Sequence, residues 1–116
     1  MLRIAAPAAL PYNAGMPEPV KAALKADLAP GAAKLVTVKG VDVALFHVEG
    51  KYSAIDNTCP HRGGPLSDGS LSGRTVTCPW HAWEFDVTTG ACLNNPSAKV
   101  RCYPVEAQGD DLVVMV

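Results

Sequence analysis

Two short segments of the sequence each place a cysteine close to a histidine, a pair of residue types that binds soft metal ions. The first segment reads C-P-H-R-G-G-P-L over residues 59–66, and the second reads C-P-W-H-A-W over residues 78–83. Each segment offers one thiolate and one imidazole, which are ligands of zinc and of iron–sulfur clusters. The pattern therefore predicts a metal centre with ligands from both segments. The four candidate ligands are Cys59, His61, Cys78 and His81.

Two kinds of metal centre use two cysteines and two histidines. A single Zn²⁺ accepts this set, but zinc modules usually space their ligands as C-x₂₋₄-C and H-x₃₋₅-H, which C-x-H matches poorly. In a two-iron cluster of mixed ligation, two thiolates bind one iron, two imidazoles bind the other, and sulfides bridge the irons. The spacing favours the two-iron cluster, and zinc stays open as the alternative.

Both segments resemble the signature of the Rieske family, with a proline after each cysteine and two glycines after the first histidine. The resemblance runs from about residue 20 to residue 116 and includes the turn at residues 95–97, which is similar to the proline-containing third loop of the family. It implies one [2Fe-2S] cluster per chain, held by the four candidate ligands. It also implies that electrons leave through exposed edges of His61 and His81.

The sequence departs from the membrane-bound, cytochrome bc type of Rieske protein at four positions. That branch has an extra cysteine in each loop, and the two form a disulfide, whereas Gly64 and Trp80 stand at these positions here. It also has serine and tyrosine hydroxyls where this sequence has Trp83 and Phe85. Hydrogen bonds around a cluster tune its potential. Their loss predicts a potential near the low end of the Rieske range, about −150 mV.

The elements that must position these loops are short strands. After Gly31 the apolar residues recur with period two, so residues 34–38 and 41–48 predict a hairpin. Further strands are predicted at residues 52–55, 74–77, 84–87, 91–93, 100–105 and 112–116. Such a series is typical of a small antiparallel β sandwich. The predicted class is all-β. The resemblance adds a Rieske iron–sulfur fold, in which a cluster-binding subdomain of two ligand loops, about residues 57–68 and 76–86, is inserted.

The amino-terminal part of the sequence has a different composition. Residues 1–19 are rich in proline and small residues, and we expect an extension that is poorly ordered or packed on the surface, before a Rieske domain at residues 20–116. Residues 20–28 have helix-forming side chains, but Pro30 and Gly31 follow closely. The structure of this segment stays open.

Three further residues are interpreted as structural. Cys92 and Cys102 lie in strand-like stretches, so we expect buried free thiols. His47 alternates with apolar residues, so we expect a strand residue with a polar partner. For Trp80 and Trp83, which flank a candidate ligand, packing beneath the cluster and contact with a redox partner both stay open.

Composition argues against several classes of partner. With 10 basic and 11 acidic residues and no basic run, the chain has no electrostatic basis for binding nucleic acid or an anionic membrane. No apolar stretch approaches the roughly 18 residues that span a bilayer. The proximity of cysteine to histidine indicates metal binding rather than disulfides, which fits a reducing cytoplasm.

The function implied by the resemblance is electron transfer. The sequence has no G-x-G-x-x-G motif, P-loop or 2-His-1-carboxylate site. We therefore expect a one-electron carrier rather than an enzyme: a soluble Rieske-type ferredoxin that passes electrons from an NAD(P)H-dependent flavin reductase to a terminal oxygenase. The alternative is the small subunit of an NAD(P)H-dependent nitrite reductase, bound to a large sirohaem subunit. A third hypothesis is a zinc-stabilised or metal-free interaction module.

Overall fold

The computed structural model describes residues 18–60, 63–80, 82–95 and 97–116. These residues form ten strands: β1 (Pro19–Leu24), β2 (Ala33–Val38), β3 (Val41–Val48), β4 (Lys51–Asp56), β5 (Ser70–Ser72), β6 (Thr75–Thr77), β7 (Glu84–Asp86), β8 (Cys102–Tyr103), β9 (Val105–Gln108) and β10 (Asp111–Met115). Single turns of 3-10 helix span Lys25–Asp27 and Leu66–Asp68. The paired strands are antiparallel, which confirms the predicted all-β class.

The strands form three sheets, and the central one has a hydrophobic core on each face. The central sheet has the order β2-β3-β4-β8, and the other two have the orders β1-β10-β9 and β5-β6-β7. Along β3, Val43 and Leu45 pack with residues of β1 and β10, whereas Ala44 and Phe46 pack with residues of β6 and β7. The central sheet is therefore the middle layer, because alternate side chains of a strand point to opposite faces.

Two tight turns of the same kind set the register of the central sheet. The β2–β3 turn has positive φ at Lys39 (+52°) and Gly40 (+77°), and the β3–β4 turn has positive φ at Glu49 (+55°) and Gly50 (+77°). Two-residue turns with this backbone match the right-handed twist of a hairpin. The hairpin predicted over residues 34–48 is confirmed.

The chain leaves the central sheet after β4 and returns to it at β8. These two strands are direct neighbours, with Ala54 opposite Tyr103 and Ile55 opposite Cys102. The whole segment between them, including the β5-β6-β7 sheet, is therefore an insertion between two adjacent strands. This is the inserted subdomain that the resemblance to the Rieske family implies.

The segment at residues 20–28 is a strand followed by a 3-10 turn. Strand β1 pairs with β10 from Pro19 opposite Met115 to Leu24 opposite Asp111, with an irregularity between Lys21 and Ala23. Pairing with β10 and burial of Ala23 outweigh the helix propensity of these residues, since propensity is a weak preference that tertiary contacts override.

Several predicted strands differ from the observed ones. The strand predicted at residues 100–105 is two strands, because Pro104 lies between β8 of the central sheet and β9 of the outer sheet. Proline has no N–H to donate and suits the point where a chain changes sheets. Residues 91–93 do not form a strand, although Cys92 bridges to Phe85 and Ala91 bridges to Lys99. The short strand β5 was not predicted.

The first and last of the described residues are joined by backbone hydrogen bonds. Glu18 and Val116 exchange two of them, at 2.8 and 2.9 Å. Residues 1–17 of the predicted amino-terminal extension lie outside the described residues. Across the described part of the chain, none of the helices has the length and apolar character needed to span a membrane.

Candidate metal centre

The first ligand loop is closed at its base by a bridge between Thr58 and Pro65. Within it, the backbone N–H of Cys59 donates to the carbonyl of Gly64 at 2.9 Å, and the N–H of Gly63 donates to the carbonyl of Cys59 at 2.7 Å. Gly63 has a φ of +80°, a conformation that glycine adopts without a steric penalty. The loop is therefore a tight turn that starts at its cysteine.

The second ligand loop joins β6 to β7 and is closed in the same way. Thr77 and Glu84 pair at its base, and the N–H of Cys78 donates to the carbonyl of Trp83 at 2.7 Å. In both loops a cysteine follows the basal threonine, and its N–H bonds to the residue five positions later. Ala82 has a φ of +59°, in the left-handed region. The two cysteines thus occupy equivalent positions in two similar loops.

The fold brings the two cysteine thiols together in the core. Cys59 is 1% exposed and Cys78 is 2% exposed, and both lie in the hydrophobic core that contains Phe46. Neither cysteine is in a disulfide. Burial raises the pKa of the Cys78 thiol; the N–H of Trp80, 3.4 Å from its Sγ, opposes this, and the neighbouring Cys59 raises the pKa further. Two adjacent buried thiolates need a compensating cation. The pair therefore fits the thiolate half of an iron–sulfur cluster.

The two candidate histidine ligands, His61 and His81, lie outside the described residues, and their assignment stays a prediction. Among the residues that the structure describes, no group of three or more histidine, cysteine or acidic side chains is placed to hold a metal ion. Of the four predicted ligands, the described structure thus brings together Cys59 and Cys78.

A third loop is attached to the second ligand loop. The N–H of Leu93 donates to the carbonyl of Glu84 at 2.8 Å, and the N–H of Glu84 donates to Oδ1 of Asn94 at 2.6 Å. Asn95 accepts a 3.0 Å hydrogen bond from the N–H of Ser97 and turns the chain. Pro96, on which the predicted resemblance of this loop partly rests, lies outside the described residues.

Asn57 is a buried polar residue at the base of the first ligand loop that the sequence did not single out. It is 6% exposed, and its Oδ1 accepts a 2.8 Å hydrogen bond from the N–H of Ser67. Its carbonyl accepts from the N–H of Leu66 at 2.7 Å, and its N–H donates to the carbonyl of Asp42 at 3.1 Å. Asn57 therefore ties the base of the first ligand loop to the 3-10 turn and to β3. A polar residue just before the Thr-Cys-Pro motif was the available signal.

Of the three residues that the sequence analysis interpreted as structural, two were predicted correctly and one was not. Cys92 is a buried free thiol, as predicted, and Nδ1 of His47 lies 2.9 Å from the carbonyl of Leu28, the polar partner that was expected. Cys102 is free but exposed, so its predicted burial is wrong. The reason is its place in β8, a two-residue strand at the edge of the central sheet.

The two tryptophans have different surroundings. Trp83 is partly buried against the core that contains the two cysteines, whereas Trp80 is 49% exposed. Trp83 therefore packs near the two cysteines. Trp80 lies at the surface and also lies close to Gly64 of the first ligand loop.

Comparison with known proteins agrees with this architecture. A family model of the Rieske [2Fe-2S] domain matches residues 18–104. The ferredoxin component of the naphthalene 1,2-dioxygenase system of Pseudomonas putida is 40% identical over 98 residues, which cover 84% of this chain and 92% of that protein. The chain belongs to the Rieske [2Fe-2S] domain family.

Solved structures place it among the ferredoxins of that family. The ferredoxin of carbazole 1,9a-dioxygenase from Nocardioides aromaticivorans IC177 superposes with a TM-score of 0.78 and 31% identity, covering 83% of this chain and 95% of that one. A ferredoxin in a complex of reduced oxygenase and oxidized ferredoxin of carbazole 1,9a-dioxygenase gives 0.77 and 28%, with coverages of 84% and 92%. This chain is a Rieske-type ferredoxin, a one-electron carrier rather than an enzyme, with one [2Fe-2S] cluster.

Proposed function

We propose that Cys59 and Cys78 bind one iron of the cluster and that His61 and His81 bind the other. The observation that carries this proposal is the convergence of the two cysteines, from equivalent positions of two similarly closed loops, into one buried thiol pair. A bound [2Fe-2S] cluster accepts and releases a single electron. Around it, the chain buries the thiolates and directs the N–H of Trp80 at Sγ of Cys78.

The proposed electron donor is an NAD(P)H-dependent flavin reductase, and the proposed acceptor is a terminal oxygenase. The acceptor is supported by the similar ferredoxin that was solved together with an oxygenase and by the similar ferredoxin component of a dioxygenase system. The relatives support the ferredoxin hypothesis over the nitrite reductase alternative. We place the protein in the cytoplasm, because none of its four cysteines is in a disulfide and unpaired cysteines persist in a reducing compartment.

The ligand assignment is tested by substitutions with matched controls from the same chain. The protein is purified anaerobically, its iron, zinc and sulfide are counted, and electron paramagnetic resonance spectra are recorded before and after dithionite. The four ligand variants are Cys59→Ser, Cys78→Ser, His61→Asn and His81→Asn. The controls are Cys92→Ser, which changes a buried cysteine outside the ligand loops, and His47→Asn, which changes the one remaining histidine.

The expected result is a reducible two-iron cluster with a low average g value in the unchanged protein and in both controls. Each ligand variant loses the cluster or changes its spectrum. Zinc in the unchanged protein, or a cluster that survives loss of any one proposed ligand with its spectrum intact, would contradict the assignment.

The carrier function is tested by reconstitution. The chain replaces the ferredoxin component in the naphthalene 1,2-dioxygenase system of Pseudomonas putida, whose ferredoxin is 40% identical, and NAD(P)H-dependent product formation is measured. We expect turnover with the unchanged chain and none with Cys59→Ser. If the dithionite-reduced protein failed to pass its electron to the oxygenase of this system, the result would contradict the proposal that an oxygenase of this class is the acceptor.

A further inference from the structure

Gly64 of the first ligand loop lies directly against the second ligand loop. A Cβ atom built on Gly64 would stand 2.6 Å from Sγ of Cys78, and 3.1 and 3.2 Å from Cγ and Cβ of Trp80. Gly64 is buried, although it lies in a loop, and the atoms nearest to its built Cβ belong to Cys78 and Trp80 of the second ligand loop. The backbone of one loop therefore rests on a side chain of the other.

Trp80 also contacts the thiol of its own loop. Its backbone N–H points at Sγ of Cys78 at 3.4 Å, while the carbonyl of Gly64 accepts the N–H of Cys59 at 2.9 Å. These contacts form a continuous connection from Cys59 through Gly64 and Trp80 to Cys78. No disulfide links the two loops, since none of the four cysteines is in one.

Trp80 is 49% exposed, so burial of apolar area alone does not account for its position. The Trp80 atoms nearest to a Cβ built on Gly64 are Cβ and Cγ, the first atoms of the side chain, whereas the core of the domain is formed by other residues. The contact is thus made by the base of the side chain, and an aliphatic residue with a branched Cγ could make it equally well.

We propose that Trp80 is a positioning residue that holds the two ligand loops together and thereby fixes the spacing of the Cys59 and Cys78 thiolates. This inference rests on the proposed function, because it takes both cysteines to be cluster ligands. Packing of Cβ and Cγ on the Gly64 backbone restrains the loops, and the same restraint keeps the Trp80 N–H directed at Sγ of Cys78. Loss of the contact lets the loops separate and exposes the cluster to solvent.

The experiment compares three variants that differ at the contacting atoms. Trp80→Phe and Trp80→Leu keep both Cβ and Cγ, whereas Trp80→Ala keeps Cβ alone. Leu93→Ala is the matched control, because Leu93 is an exposed apolar residue (55%) in the loop attached to the second ligand loop. Each holoprotein is prepared anaerobically and challenged with an iron chelator. The rate of loss of cluster absorbance, the midpoint potential and the thermal unfolding of the β-sheets are measured.

Trp80→Ala is expected to lose its cluster about fivefold faster than the unchanged protein, the effect of removing a packed group the size of one or two methylenes. Its midpoint potential is expected to fall, because the N–H donor to the sulfur is less well directed. Trp80→Phe, Trp80→Leu and Leu93→Ala are expected to retain the original rate and potential, with unfolding of the sheets unchanged throughout.

Equal rates for Trp80→Ala and the unchanged protein would overturn the proposal. Rates for Trp80→Leu as fast as for Trp80→Ala would also overturn it, because the exposed indole rather than the contact with Gly64 would then be responsible. Failure of the proposed function gives a different result: the unchanged protein itself would lack iron, or Cys59→Ser would retain the cluster.

Discussion

The hydroxyl of Tyr103 donates a 2.6 Å hydrogen bond to Oδ1 of Asp56, which joins the strand that enters the inserted subdomain to the strand that leaves it. Asp56 and Arg101 strengthen the same junction, since the N–H of Arg101 donates to Oδ2 of Asp56 and the N–H of Asp56 donates to the carbonyl of Arg101, both at 2.9 Å. The insertion that carries both ligand loops therefore has a fixed base, only three residues from Cys59.

This junction predicts a loss of stability at alkaline pH. Burial, together with the hydrogen bond and the charge of Asp56, raises the pKa of Tyr103 from 10.0 to about 12. A group whose pKa is higher in the folded state stabilises the fold fully below its unfolded pKa and loses this contribution as pH rises through the folded pKa. The free energy of unfolding should therefore decrease between pH 10 and about 12.

Tyr103→Phe isolates that effect. The variant removes the hydroxyl and should lower the free energy of unfolding near neutral pH by about 1 kcal/mol. It should also show a smaller decrease in the free energy of unfolding at alkaline pH, because the phenol that loses its proton is absent. Urea unfolding at a series of pH values measures both. Tyr52→Phe, a tyrosine next to His47 on the central sheet, is the control, and an identical alkaline decrease in Tyr103→Phe and the control would refute the prediction.

The buried amide of Asn57 predicts a specific destabilisation of the first ligand loop. Asn57→Ala leaves the partly buried N–H of Ser67 without its acceptor, which should cost about 1–3 kcal/mol of stability. Asn95→Ala removes a similar hydrogen bond, to the N–H of Ser97, at an exposed turn and should cost less. Chemical denaturation compares the two, and equal losses would show that Asn57 has no special role.

The left-handed conformation of Ala82 predicts opposite effects of two substitutions. A residue with a Cβ atom at a φ of +59° carries a steric cost of about 1 kcal/mol that glycine does not. Ala82→Gly should therefore leave stability unchanged or raise it, and Ala82→Val should lower it and reduce the iron content. Thermal unfolding and iron analysis measure these effects; a more stable Ala82→Val would be inconsistent with the observed backbone.

The close approach of Gly64 to the second loop predicts that this glycine is required for cluster assembly. The Cβ of Gly64→Ala would meet Sγ of Cys78 at 2.6 Å, so the thiol must move and the iron content should fall. Gly73→Ala also introduces strain, because its φ is +58°, but it has no neighbour within 4 Å of the new Cβ. This control should lose stability and keep its iron; a full iron content in Gly64→Ala would contradict the prediction.

The surroundings of the thiols predict a low reduction potential. Trp83 and Phe85 carry no hydroxyl group, and the donor observed at Sγ of Cys78 is the backbone N–H of Trp80. Fewer hydrogen bonds to the cluster stabilise its reduced form less, so the midpoint should lie near −150 mV, the low end of the Rieske range of about −150 to +300 mV. A redox titration decides the question, and a midpoint above about +100 mV would show that other interactions set the potential.

Some elements were predictable because a local pattern specifies them. Strand β3 follows the predicted alternation, since its side chains are buried in turn on the two faces of the central sheet. The β2–β3 turn was predictable from Lys39-Gly40, because few residues other than glycine accept a positive φ. The exposure of Cys102 was not predictable, because it depends on how few residues of β8 pair with the central sheet.

The amino-acid sequence by itself determined the two Cys-His segments, the hairpin over residues 34–48 and the alternation of its strands, because each depends on neighbouring residues and their conformational preferences. Only the tertiary structure decided that residues 20–24 form a strand, that the chain changes sheets at Pro104, and that Cys59 and Cys78 lie in the same hydrophobic core. These features depend on contacts between residues far apart in sequence, whose free energy outweighs local propensity.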